Sequence, residues 1–184
     1  SQVFGNFQDI LIPKNNTKAL QESIFGIDWG TGTNNDYTAI AVMNEDKTMQ
    51  DIVYFNNEDP TQTIDKIIKL YNKYLPKNVI VERNSIGEIF YKLLKKHIPN
   101  ITPFYTTNES KRKIIENLQY LIQTKEIRLL NDVELSFELS AYQLEKTRQG
   151  NITYNARQGA NDDLIIATAL ACKDFEKPKK YNVV

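Results

Sequence analysis

Four acidic side chains stand where carboxylates can do chemistry. Asp28 closes the apolar run Ile24-Phe25-Gly26-Ile27, just before Gly30 and Gly32. Glu82 closes a second apolar run, Val79-Ile80-Val81, and Asp162 and Asp163 open an apolar stretch that continues to Ala171. Apolar strands bring their ends to the middle of a sheet, where a carboxylate is poorly solvated and costly unless it is paired or metal-bound. Several carboxylates gathered there repel one another and need a cation. Oxygen-only ligands favour magnesium or manganese (Mg2+ or Mn2+) over zinc. Two such ions roughly 4 Å apart can clamp the attacking and leaving oxygens of a phosphodiester, with basic residues nearby holding the rest of a nucleic-acid backbone.

Each acid also has an ordinary reading. An Asp before a Gly-rich turn is a common turn former, and acids in a first helical turn cap it or complement its dipole. Their joint placement, at two strand ends and one buried helix start, favours a metal site.

The elements that must position these acids follow from hydrophobic period and turn chemistry. Strands are expected at residues 23–28, 37–43 and 51–55, joined by short connections as an antiparallel meander. Ile64, Ile67, Ile68, Tyr71 and Leu75 keep helical spacing between Pro60 and Pro76. A short apolar strand covers 79–81. Ser85-Ile86-Gly87-Glu88 has the form of a capping box opening a helix with Ile86, Ile89, Phe90, Leu93 and Leu94 on one face. A strand at 101–105 precedes a helix over about 109–124. Asn131-Asp132-Val133-Glu134 suits a short helix start, and Gln149-Gly150 suits the turn of a hairpin between 142–147 and 152–155. The last helix, over about 162–174, is apolar almost all round and must be buried. The fold class expected is α/β: a mixed sheet, antiparallel in its first three strands, flanked by helices, with an additional C-terminal β-hairpin. Residues 1–22 read as a linker or N-terminal arm with a short extended piece at 10–12. The folded domain runs over 23–176, and 177–184 form a mobile basic tail.

Length and composition set outer bounds. The chain has 184 residues, 41% hydrophobic and 25% charged, which suits one folded domain with a proper core. One cysteine excludes a disulfide framework and a cysteine zinc cluster. No run approaches a membrane span, and no signal peptide opens the sequence. Formal net charge is zero, yet residues 23–82 carry nine acids against five bases, whereas 83–113 carry seven bases against two acids. Neutrality therefore hides an acidic block beside a basic one and does not exclude DNA.

The segments Gly26-Ile27-Asp28-Trp29-Gly30-Thr31-Gly32 with Asp36-Tyr37-Thr38-Ala39, then Val79-Ile80-Val81-Glu82-Arg83-Asn84 with Gly87, then Asn161-Asp162-Asp163-Leu164 with Ala167, resemble the nuclease domain of bacteriophage terminase large subunits. The resemblance runs in order from about Ser23 to Cys172 and implies a ribonuclease H-like fold of the resolvase/integrase superfamily. It implies a metal-dependent endonuclease that cleaves concatemeric double-stranded viral DNA during genome packaging. By position, Asp28 and Glu82 match the family's first two acids, and Asp162 or Asp163, or both, match the third. The implied partners are double-stranded DNA, a packaging ATPase domain of the same polypeptide, the portal and the small terminase subunit, with no membrane. The implied location is the host cell cytoplasm. Two departures stand out. Asn161 replaces a histidine common before the acid pair, and the lone His97 matches no motif, so any mechanism runs on carboxylates, metals and water. The chain also lacks a G-x-x-x-x-G-K-[ST] loop and is not expected to hydrolyse ATP.

Several other residues invite assignment. Arg83 and Asn84, directly after Glu82, are placed to reach a scissile phosphate or orient an acid. Lys111, Arg112 and Lys113 read either as a solvated helix face or as phosphate contacts. Lys146, Arg148 and Arg157 on or beside the hairpin read as a DNA-contacting flap or as sheet edge. Asp36 is taken as mainly structural, Trp29 as packing and Cys172 as an inert buried thiol. The rival functions are a junction resolvase, an actin- or sugar-kinase-like nucleotide-binding domain built on Asp28-Trp29-Gly30-Thr31, and a non-catalytic DNA-binding scaffold of the same fold.

Overall fold

The computed structural model describes residues 2–15, 21–30, 36–56, 59–146, 148–156 and 161–175. A 3-10 turn at Phe7–Ile10 leads into strand β1 (Leu11–Ile12), followed by β2 (Ser23–Asp28), β3 (Thr38–Asn44) and β4 (Met49–Phe55). Then come α1 (Pro60–Tyr74), β5 (Asn78–Glu82), α2 (Ile86–Lys95), β6 (Ile101–Phe104) and α3 (Asn108–Gln123). The chain continues through β7 (Leu129–Leu130), α4 (Val133–Ala141), the hairpin strands β8 (Tyr142–Lys146) and β9 (Ile152–Ala156), and α5 (Asp163–Cys172).

The main sheet has the order β4-β3-β2-β5-β6. It is antiparallel across β4, β3 and β2 and parallel across β2, β5 and β6. This is the mixed sheet expected from the sequence, with the apolar strands β2 and β5 side by side at its middle. Period-2 alternation decides which side chains face which layer. Phe25, Ile27, Val79 and Val81 turn to one face, where Ile64, Ile67, Phe90, Tyr91 and Leu94 of α1 and α2 cover them. Ile24 and Ile80 turn to the other, against α3, α4 and α5. Asp28 and Glu82 share parity with Ile24 and Ile80, so both carboxylates belong to the α5 side.

Helix α5 is buried along its whole length. Gly26 is what lets it lie so close. A Cβ at this position would stand 2.0 Å from the Ala167 carbonyl oxygen and 2.5 Å from the Ala171 backbone nitrogen. The glycine on the strand and the small residues on the helix therefore fit as a set. The helix runs antiparallel to β2, which carries its first turn back to Asp28.

Three local expectations are corrected. The Ser85–Glu88 capping box does not form: Ser85 takes a positive φ of 49° and makes no side-chain cap bond. Its Glu88 is drawn instead to Arg83. A capping box does open α3, where Thr107 and Ser110 exchange side-chain and backbone bonds. A two-residue strand, β7, was also missed, and it pairs in parallel with β1. Pro60 begins α1 rather than preceding it, as its fixed φ allows at a first helical position.

The leading segment, read as a linker or arm, packs as part of the core: Val3, Phe4, Phe7 and Ile10 are buried with α3, α4 and the hairpin. The expected hairpin forms, with Tyr142 opposite Ala156 and Lys146 opposite Ile152, and its Gly150 has φ 86°. Residues 31–35, Arg157 and the tail at 177–184 lie outside the described residues. Among the described residues no helix is long and apolar enough to cross a membrane.

Candidate metal centre

The three parallel strands β2, β5 and β6 end at one edge of the sheet, and the first turn of α5 closes over that edge. Because Ile27 pairs with Val81 in parallel register, Asp28 comes to lie beside Glu82. The result is a cleft of about 310 Å³ whose wall includes Asp28, Glu82, Asp162, Asp163, Asp36 and Lys111. All four acids singled out in the sequence meet there. Cavities outside the carboxyl ends of parallel strands are the usual place for a site in such sheets.

The cleft is electrostatically unbalanced. Asp28 is 8% exposed, and burial together with the charges of Asp163, Glu82 and Asp162 pushes its carboxyl well above the ordinary range. Asp28 and Asp163 share a hydrogen bond. Burial pushes Asp163 up to about 6, against the lowering effect of the bond from the Tyr37 N–H, with Asp162 and Asp36 adding to the rise. That N–H donates to Asp163 Oδ2 at 3.0 Å. Among the described residues one cation lines the cleft: Lys111 Nζ lies 3.1 Å from Asp162 Oδ2. Like-charged groups held this close favour keeping a proton or taking up a cation.

Neighbouring segments fix the strand ends. The Trp29 indole N–H donates to the Glu82 carbonyl at 2.8 Å, and its ring stacks on Phe90 with centroids 4.5 Å apart. Gly87 leaves room for this contact, since a Cβ there would stand 2.5 Å from the Glu82 carbonyl oxygen. Trp29 thus does more than fill space: it ties the tip of β2 to the tip of β5. Asn84 spends both ends of its amide on Thr106, donating to its carbonyl at 2.8 Å and accepting from its N–H at 2.9 Å. It straps the end of β5 to the end of β6.

The other sequence candidates are placed differently. Arg83 makes a two-pronged ion pair with Glu88 at 2.7 and 3.1 Å and lies over the Tyr91 ring, so it is braced along α2. Arg112 and Lys113 pair with Glu116 and Glu109 on α3 itself. Of that basic group only Lys111 lines the cleft. Arg148 is exposed in the hairpin turn, and the side chain of Lys146, like Arg157, lies outside the described residues. His97 is exposed just beyond α2 and does not line the cleft. The Cys172 thiol is buried, and burial raises its pKa.

One acid escaped the sequence reading. Glu138 of α4 is 2% exposed, and its Oε1 accepts the N–H groups of Leu164 and Ile165 at the start of α5. Burial pushes it up to about 8 even though those two N–H bonds pull the other way. Its place between Leu135 and Leu139 on the inward face was the available signal.

The donor chemistry fits a hard divalent cation: the side-chain donors converging on the cleft are carboxylates, and among the described residues Lys111 offsets their mutual repulsion only in part. The fit needs adjustment, though. Among the described residues no three potential ligands are yet gathered tightly enough to grip an ion. Asp28 and Asp163 face each other, and Asp162 faces Lys111.

A mixed five-stranded sheet with acids converging at its central strand ends and on an all-buried helix defines a protein of the ribonuclease H-like class. Within that class the chain belongs to the terminase RNaseH-like domain family, whose model matches residues 25–174. It is 24% identical over 162 residues to the large terminase subunit of Thermus phage G20c, covering 87% of this chain and 33% of that protein. The large terminase subunit of Thermus virus P23-45 matches to the same extent. The chain thus spans about a third of the length of these relatives. Among solved structures, the large terminase nuclease of phage G20c with bound magnesium superposes with a TM-score of 0.84 at 20% identity, covering 95% of this chain and 98% of that one. The cobalt-bound form gives the same values. Membership of this family sets aside the actin- or sugar-kinase-like alternative.

Proposed function

We propose that this chain is the nuclease part of a phage terminase large subunit. On this reading it cuts concatemeric double-stranded DNA during genome packaging, with carboxylate-held Mg2+ or Mn2+, two ions in all. The observation that supports this most directly is the meeting of Asp28, Glu82, Asp162 and Asp163 in one cleft where their charges are under-compensated. Solved relatives of the same fold are described with bound magnesium, cobalt and zinc, which agrees with a centre for divalent ions.

In this proposal Asp28, Glu82, Asp163 and Asp162 hold the ions, whose chemistry when bound is to activate water and to neutralise charge building on the phosphate. Asp28 gives up the proton it shares with Asp163. Asp162 would hold a cation in place of Lys111, whose ammonium would then be free to meet a DNA phosphate at the cleft mouth. Trp29 and Asn84 keep the strand tips from spreading. No histidine is involved; protons leave through carboxylates and water. Arg148, with Lys146 and Arg157, supplies further phosphate contacts. The ATPase domain, portal and small subunit complete the packaging machine in the host cytoplasm.

The decisive experiment is nicking and linearisation of supercoiled plasmid with Mg2+ or Mn2+. We expect cleavage by the parent chain and a loss of at least about a thousandfold in Asp28→Ala and in Glu82→Ala, with circular dichroism unchanged. Equal cleavage by parent and both variants would sink the assignment. Preferential cutting of four-way junctions over linear duplex would redirect it towards a junction resolvase.

A further inference from the structure

The start of α5 does not use the cap its own sequence offers. An N-cap side chain ordinarily accepts a hydrogen bond from the second or third helical N–H. Asp162 occupies that position and makes no such bond; its Oδ2 is held by Lys111 instead. Asp163, next in line, accepts from the Tyr37 N–H across the cleft. Even so, the second and third N–H groups of the helix are satisfied. Glu138 reaches over from α4, and its Oε1 alone accepts from Leu164 N at 2.9 Å and Ile165 N at 3.2 Å.

This is an expensive way to cap a helix. Glu138 is 2% exposed, and its other oxygen, Oε2, is buried with no hydrogen-bond partner among the described residues. A buried polar atom left without a partner destabilises a fold, and a serine or asparagine at 162 would cap locally without that cost. What the borrowed cap does accomplish is specific. It frees the carboxylates of Asp162 and Asp163 from the backbone of their own helix.

We propose that Glu138 is a positioning residue of the acidic centre: by capping α5 from α4, it keeps Asp162 and Asp163 turned into the cleft, ready to take up a divalent cation. The proposal rests on the reading of the cleft as a metal centre. Glu138 touches neither ion nor DNA in this role and acts through the backbone of residues 164 and 165. Without it, the bare N–H groups draw Asp162 back into the local cap. A mere bolt between α4 and α5 would instead affect stability and leave ion binding as it was.

The test measures Mn2+ binding by titration calorimetry on the full chain without DNA, alongside plasmid nicking resolved into kcat and KM. Glu138→Ala is expected to weaken Mn2+ binding at least about tenfold, the scale set by partners that orient metal ligands. It should lower kcat and leave the KM for DNA unchanged. Glu138→Gln keeps an acceptor oxygen for both N–H groups and should bind Mn2+ as the parent does. Glu138→Asp falls one methylene short and should behave as the alanine variant. Parental Mn2+ affinity and kcat in a folded Glu138→Ala chain would overturn the proposal. Should that variant fail to fold, the other two decide, and equal Mn2+ affinity in Glu138→Gln and Glu138→Asp would overturn it. A parent chain that binds no Mn2+ would overturn the metal-centre reading itself, a result distinct from a parent that binds and variants that match it.

Discussion

Helices α4 and α5 begin on the same dipeptide, Asn-Asp, at 131–132 and 161–162, yet the two starts are put to opposite uses. Asp132 is 1% exposed and fully engaged: Oδ1 accepts from Leu135 N at 3.0 Å, while Oδ2 meets the Tyr54 hydroxyl and the Lys14 ammonium. It caps its own helix and its charge is balanced. At α5 the equivalent Asp162 does not cap, Asp163 is hydrogen-bonded to Asp28, and a carboxylate from α4 supplies the missing acceptor. What separates a structural acid from a functional one is therefore the partners the fold provides, not the local sequence. A satisfied buried carboxylate is costly to remove because its partners are left bare; an under-compensated one is a standing demand for a cation.

Crossed substitutions break the comparison most sharply. Asp163→Ala should abolish Mn2+-supported plasmid cleavage, by about a thousandfold or more, while leaving the urea midpoint at pH 7 unchanged or raised, because it removes a charge from a repulsive cluster. Asp132→Ala should do the reverse. Losing the cap and leaving the Tyr54 hydroxyl without its acceptor costs about 2 kcal/mol together, or roughly 4–8 °C in Tm for a chain of this size. Cleavage per folded molecule should stay at the parental rate. Were Asp132→Ala inactive while folded, the division between the two helix starts would be wrong.

Gly26→Ala probes what seats α5. The added methyl would collide with backbone rather than a movable side chain, so the helix must shift off the sheet. A cost of about 3 kcal/mol is expected from chemical denaturation, with cleavage falling as well because Asp163 moves with the helix. Unchanged stability would mean that the helix stands further from β2 than 2.0 Å for the missing Cβ implies.

These contrasts also explain what could be read in the sequence. Strand ends and buried apolar runs are strong local signals, so the order of elements and the convergence of Asp28, Glu82, Asp162 and Asp163 were legible before any coordinates. Glu138 was not, because a glutamate in a short helix looks solvated until a second helix is docked over it. Ser85 misled for a related reason. The Ser-x-x-Glu pattern is a capping box only when the glutamate is free, and Arg83 claims Glu88 first. Phe4, Phe7 and Ile10 have near-helical spacing, but Asn6, with φ 58°, interrupts any helix. Their burial depends on elements far along the chain, as where the Phe4 ring meets that of Tyr142 with centroids 5.5 Å apart. The basic residues were the least legible, since whether a lysine faces a cleft or its own helix is a matter of azimuth. Lys111 lines the cleft, while its neighbours Arg112 and Lys113 pair along α3.

The subtlest contrast lies in pH. In the metal-free chain Asp28 is held well above, and Asp163 at about 6 against, the ordinary carboxylate range near 3.9 of an unfolded chain. Between about pH 4 and pH 6 the folded state therefore binds more protons than the unfolded state. The stability this pair contributes is complete below the unfolded pKa and is lost as pH rises through the folded values. Asp28→Asn removes one member of the pair. Without metal it should match the parent near pH 4.5 and melt at a higher temperature than the parent at pH 7. Saturating Mn2+ should reverse the order at pH 7, since an ion that binds only the folded parent stabilises it by mass action. Asp132→Asn provides the control. It keeps an acceptor for Leu135 but loses the charge facing Lys14, so it should be slightly less stable than the parent, with the same deficit with or without Mn2+. Differential scanning fluorimetry at the two pH values, with and without the ion, resolves all four cases. A reversal at position 132, or none at position 28, would show that the two helix starts do not differ in the way their partners indicate.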